Sequence, residues 1–138
     1  MTDLEFMRRR GRSLFPGGEI TPNTLASNIA FGTAVLGANH IELTNDGAWW
    51  FVASDFDWLS SPDERYADAR SLFQTVVPFP EQGPASHRSE IYVTVFAKRA
   101  YLVQDGIVSW LFGHWHTPLP HENIVPHWWT NILAFNFH

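Results

Sequence analysis

The stretch SEIYVTVFAKRAYLVQDGIVSWLFGHWH, residues 89–116, sets two long apolar runs on either side of Asp105-Gly106. An Asp-Gly pair tolerates the positive φ angles of a two-residue hairpin turn and is the strongest short-range hairpin signal a sequence offers. With that loop Gln104 faces Ile107. Pairing is then predicted to run outward through Val103 with Val108, Tyr101 with Trp110, Ala97 with His114 and Val95 with His116. Because side chains alternate along a strand, Tyr101, Trp110, Phe112, His114 and His116 share one face, and Tyr92, Phe96, Leu102, Leu111 and Trp115 the other. Both faces are largely apolar, so the hairpin belongs inside a larger sheet or under a helix.

Working outward, a second hairpin of the same kind precedes it. His40 to Thr44 runs into Trp49 to Ala53 across Asp46-Gly47. Its first arm alternates, with Ile41 and Leu43 inward and Glu42 and Thr44 outward, whereas the second arm is apolar on both faces and is expected to be more central. Between the hairpins, Ser61-Pro62-Asp63-Glu64 carries an N-cap serine, a first-turn proline and a glutamate placed for a capping box. Tyr66, Ala69, Phe73 and Val76 follow at helical spacing, predicting one amphipathic helix over about 61–77 that lies on the sheet and stops before Pro78. Pro78 to Ser89 reads as an extended loop. Upstream, residues 2–14 predict a short helix with Leu4, Met7 and Leu14 inward, closed by Pro16-Gly17-Gly18. Thr21-Pro22 opens another helix, which Gly37 would stop, with a strand over Ala30 to Leu36 as the alternative because Gly32 and Thr33 disfavour helix. The tail after His116 must turn at Thr117-Pro118-Leu119-Pro120, and Trp128 to Phe137 reads as a final strand or short helix.

The expected fold class is therefore α+β: an antiparallel sheet built from two β-hairpins, one amphipathic helix packed on it, and short helical segments at the N-terminus. A chain of 138 residues is read as a single domain over 1–138, with 1–18 an N-terminal arm or short helix and 117–138 an aromatic and histidine-rich segment packing on the sheet. Hydrophobic content of 45% against 17% charged residues is globular rather than disordered. With no cysteine, disulfides, thiolate metal sites and a cysteine nucleophile are excluded. The net charge of −5 is unevenly placed, since Arg8, Arg9, Arg10 and Arg12 lie in the first fourteen residues and the rest is strongly acidic. That argues against a nucleic-acid-binding body, although the arm itself could meet phosphate or anionic lipid. The most apolar early segment, Leu25 to Ala38, is too short to span a bilayer, and the chain is expected to be soluble and cytoplasmic.

Four constellations are candidates for function. His114, His116, His121 and His127 lie within fourteen residues, beside Glu122. Two histidines two apart on a strand project from one face about 7 Å apart, a spacing that lets both imidazoles meet one divalent transition metal, with His121 or Glu122 as a third ligand. The His-x-His pair resembles that of cupin-type metal barrels, but Glu122 follows after five residues rather than three or four and the second histidine motif is absent. The bland alternative is a set of structural histidines bonded to backbone or water. Asp55 and Asp57 form an alternative acidic site, since same-side carboxylates can bind a cation or divide into acid and base; a solvated turn is the plainer reading. Arg88 with Glu90 marks the entrance to the long hairpin. Arg99, halfway along its first arm, needs either an anionic partner or a bulge that turns Lys98 and Arg99 outward. Seven tryptophans exceed what one small core usually absorbs, and Trp110, Trp115, Trp128 and Trp129, with Arg99, are the expected partner or ligand surface.

No phosphate-binding glycine loop, nucleophile elbow or dinucleotide fingerprint occurs. The expected function is a small non-catalytic interaction module that binds a protein partner or self-associates through aromatic surface. The alternative is a metal- or small-molecule-binding domain, conceivably enzymatic, at the histidine-rich end of the long hairpin.

Overall fold

The computed structural model describes residues 1–59, 65–126 and 129–138. Its centre is a five-stranded antiparallel sheet made of β1 (Ile41–Asn45), β2 (Trp50–Ser54), β3 (Arg99–Gln104), β4 (Ile107–Phe112) and β5 (Asn131–Asn136), in the order β1-β2-β5-β3-β4. Both Asp-Gly hairpins are present, and the last strand in sequence lies between them. The α+β architecture is as the sequence implied. In the long hairpin the chain reverses at Asp105 (φ 52°) and Gly106 (φ 82°), and Gln104 pairs with Ile107, Val103 with Val108 and Tyr101 with Trp110. In the first hairpin Asn45 pairs with Trp50, so the loop spans four residues, and the Asp46 carboxylate accepts from the amides of Ala48 (2.9 Å) and Trp49 (2.7 Å).

Alternation divides the sheet into two covered sides. Val52, Leu133 and Leu102 stand in one row across β2, β5 and β3 and pack under the helices, while Phe51, Ala134 and Tyr101 stand in the next row and face the opposite side. On the helical side lie α1 (Asp3–Leu14) and α2 (Pro22–Val35). Thr2 and Glu5 form a reciprocal capping box at the start of α1, and Thr21 caps α2 with Pro22 in its first turn. Met7, Leu25 and Ile29 are buried from these helices, as their spacing implied. The opposite side is covered by residues 113–126 and 129–130, whose Leu119, Ile124, Val125 and Trp129 pack on the sheet around a 3₁₀ turn, Pro120–Asn123. Among the described residues no helix is long and apolar enough to cross a membrane.

Three sequence expectations need correcting. Residues 91–96 are not the outer part of a strand; Ile91–Phe96 form a helical turn and a half, α4, closed by the Ala97 amide bonding to Val93 O. The run is β-branched and aromatic, yet tertiary packing overrides propensity: Tyr92 and Phe96 close on the bare backbone of Gly11 in α1, and Phe15 meets Tyr92 edge-on at 5.0 Å. The pairings of Ala97 with His114 and Val95 with His116 are therefore absent. Second, the register shifts between Ala100 and Tyr101, which leaves Leu111 as an extra residue because Phe112 pairs with Ala100. The bulge lies in β4, not at Lys98-Arg99. It resets the alternation, so Leu111 and Phe112 both pack toward the helical cluster and Trp115 joins the side of Tyr101. Third, the helix anticipated over 61–77 is confined, among the described residues, to α3 (Ala69–Leu72), restarted by Asp68, whose carboxylate accepts from Ser71 N at 2.8 Å. Its predicted cap, residues 61–64, lies outside the described residues. Of its predicted apolar stripe Tyr66 and Phe73 are nonetheless buried, and Ala69 and Val76 are half-buried.

The edge strand β1 also departs from simple alternation. Leu43 remains 39% exposed at the sheet edge, while Glu42 is half-buried because the Trp129 indole donates to its carboxylate at 2.6 Å.

Candidate functional site

The histidine-rich end of the long hairpin does not form a convergent ligand set. Gly113 ends β4 with φ 78°, and beyond it His114 and His116 are exposed and rim one shallow recess with Arg99 and Trp115. The His116 ring stacks on Trp115 at 4.9 Å. His121 is turned elsewhere: its Nδ1 lies 2.8 Å from the Tyr101 hydroxyl, which also accepts from the His121 amide at 3.1 Å. Burial pushes the Tyr101 hydroxyl well above its ordinary pKa, so it stays protonated and can donate to that imidazole nitrogen. Glu122 folds back to accept from the Leu119 amide at 2.6 Å. Among the described residues no three His, Asp or Glu side chains are grouped to hold a metal ion. His127 lies outside the described residues.

Asp55 and Asp57 also diverge. Asp55 is exposed and meets His40, with Nδ1 at 3.3 Å and the His40 amide at 3.3 Å. Desolvation raises its pKa, but the His40 hydrogen bonds and charge outweigh that and hold the carboxyl below the usual range. Asp57 accepts from Leu59 N at 3.1 Å and shapes the turn after β2.

The aromatic residues expected to form a surface are mostly engaged within the fold. Trp49 sits at the middle of an edge-to-face cluster, with ring centroids 5.5 Å from Tyr101, 6.3 Å from Trp110 and 5.4 Å from Trp115. The Arg99 guanidinium lies 5.2 Å above Trp115 and donates to His138 O at 3.2 Å. It thus rests on an aromatic face and a main-chain oxygen rather than opposite a side-chain carboxylate. Trp110, Trp115 and Trp129 are each half-buried, Trp49 and Trp58 are buried, and Trp128 lies outside the described residues.

Arg88 and Glu90 do come together. Both are 2% exposed; Arg88 Nη2 meets Glu90 Oε2 at 2.9 Å and its Nε meets Oε1 at 3.2 Å. The same guanidinium donates to Trp58 O at 3.3 Å and lies between the rings of Tyr66 and Phe79. Every side of the cation is occupied by protein, which makes the pair a structural clamp tying residues 58, 66 and 79 to the entry of α4. Beside it, His87 Nε2 lies 2.9 Å from the Tyr92 hydroxyl, and burial lowers the imidazole while raising the phenol to about 12.

What the sequence did not single out is a groove between α1, α2 and residues 82–87. Its cavity is about 520 Å³, and three large apolar side chains open onto it: Phe6, 41% exposed, Leu14, 43%, and Phe31, 59%. Helical spacing contains part of this signal: Phe6 stands about 100° round α1 from Met7, whereas Leu14, seven residues after Met7 and expected inward with it, is instead left exposed at the groove. Read only for its inward face, α1 conceals a second one. His87 and the loop before it form the far wall.

Compared with known proteins, the chain matches no family model, no curated protein and no solved structure.

Proposed function

We propose that the protein is a small non-catalytic interaction module that receives a protein partner in the groove between α1 and α2. One observation carries the reading: Phe6, Leu14 and Phe31 are exposed around a single concavity, while Trp110, Trp115 and Trp129, expected to form a surface, are half-buried. Exposed apolar groups scattered singly are ordinary, but three around one hollow have the form of an anchor site. Selection of displayed peptides against the folded protein, followed by amide chemical-shift mapping with the enriched sequences, tests it. Shifts centred on Phe6, Leu14, Phe31 and residues 85–87 are expected. An absence of enriched peptides, or shifts confined to residues 113–122, would count against the groove.

A second reading retains the histidine-rich turn as a metal or small-molecule site, because His114 and His116 share one recess. It asks for an outside third ligand. A rise in melting temperature with zinc or nickel that is lost in His114→Ala/His116→Ala would support it, and no change would remove it.

A further inference from the structure

We infer that the partner segment taken by the α1–α2 groove is acidic and amphipathic, an inference that rests on the interaction reading above and adds the chemistry of the occupant. The groove is lined mainly by apolar side chains, and one exposed arginine of α1, Arg10, stands between two of them in the helical sequence. Arg10 falls four residues after Phe6 and four before Leu14, on the same helical row. Arg8, Arg9 and Arg10 are exposed, and the ion pairs of the described residues involve His40, Arg65 and Arg88 instead. Nearby acids are already occupied: the Asp3 carboxylate accepts from Val76 N at 2.7 Å, Glu5 is held in the capping box, and Glu81 is paired with Arg65 at 2.9 Å. Among the described residues Arg10 thus stands without an ion-pair partner beside an apolar hollow. Carboxylates flanking an apolar ridge would satisfy both at once.

Shape and charge discriminate against the other occupants. A bilayer is flat and takes protruding apolar side chains, whereas Phe6, Leu14 and Phe31 border a concavity of about 520 Å³ that only a ridge can fill. A twofold dimer through this face would repeat Arg10 on both sides of the contact, and like charges near one axis oppose closure.

Fluorescence polarisation with two labelled synthetic amphipathic helices tests the inference on the intact protein. Both carry leucines on one face; one has glutamates flanking that face and the other lysines. The glutamate helix is expected to bind at least tenfold tighter, with the gap shrinking as salt is raised. Arg9→Glu/Arg10→Glu should reverse the preference, and Phe31→Ser should abolish binding of both, with unchanged far-UV circular dichroism showing that each variant is folded. Equal binding of the two helices would overturn the acidic preference while leaving the groove as a docking site. Binding of neither, together with a failed peptide selection, would overturn both. Sedimentation with phosphatidylserine-containing vesicles that is lost in Phe31→Ser would assign the face to a membrane, and concentration-dependent self-association lost in the same variant would assign it to a second copy; either result overturns the inference.

Discussion

Glu90 is the residue on which the buried charge of this fold depends. It accepts two hydrogen bonds from Arg88, and the pair is nearly sealed from water. Removing one partner of a buried pair leaves an uncompensated charge, whereas replacing both with well-packed apolar groups does not. Glu90→Ala is therefore expected to lower stability by about 3–5 kcal/mol, while Arg88→Met/Glu90→Leu falls much nearer the parent, as measured by urea unfolding. Equal losses in the two variants would show that the aromatic contacts of Arg88 with Tyr66 and Phe79, rather than its charge, hold that region together. Sequence drew attention to this pair because the two residues are adjacent but one. The bond from Ser89 to Asn28 and the clamp on Trp58 O join positions sixty-one and thirty residues apart, and no local pattern contains them.

Among the elements, the end of β4 is the point where local chemistry and tertiary demand meet. Gly113 adopts φ 78°, and a Cβ placed there would lie 2.8 Å from Arg99 Cγ and 3.4 Å from Arg99 Cα. Two separate constraints thus require glycine: a left-handed backbone and the close passage of the arginine stem beneath Trp115. Gly113→Ala is expected to cost about 1–3 kcal/mol and to loosen Arg99 from Trp115, read as a change in tryptophan fluorescence. The two Asp-Gly turns were legible because turn chemistry is carried by the turn residues themselves. The bulge at Leu111 was not, since it depends on how β3 is held by β5 on its other side. Nor was α4, where Ile91 to Phe96 reads as strand by propensity and becomes helix because α1 offers Gly11 as a seat for two aromatic rings. At the candidate site the same division holds. The Arg8-Arg9-Arg10 run was visible in the sequence, but the apolar hollow beside it needs α2 and residues 82–87 brought alongside α1.

For the molecule as a whole, the order β1-β2-β5-β3-β4 makes the strand made last the one that joins everything made earlier. Each hairpin closes on itself through a short loop, but β2 and β3 are brought together by β5, which pairs with β3 along its full length and with β2 from Asn131 to Phe135. All six of its residues are buried, from Asn131 to Asn136. Full burial of a side chain such as Ile132, Leu133 or Phe135 contributes about 1.5–3 kcal/mol, so the three together approach the roughly 5–15 kcal/mol by which a domain is stable. Their loss would also leave backbone donors and acceptors of two interior strands unpaired. A chain truncated after Thr130 is therefore expected to show no cooperative thermal transition and no near-UV circular dichroism, while the isolated turns keep some local structure. Because the missing piece is a strand whose place is defined by both neighbours, a synthetic peptide of residues 129–138 added in trans should restore the near-UV signal in a saturable way. A truncated chain that unfolds cooperatively by itself would mean that the hairpins assemble without β5 between them, and the sheet order could not then be what organises the fold.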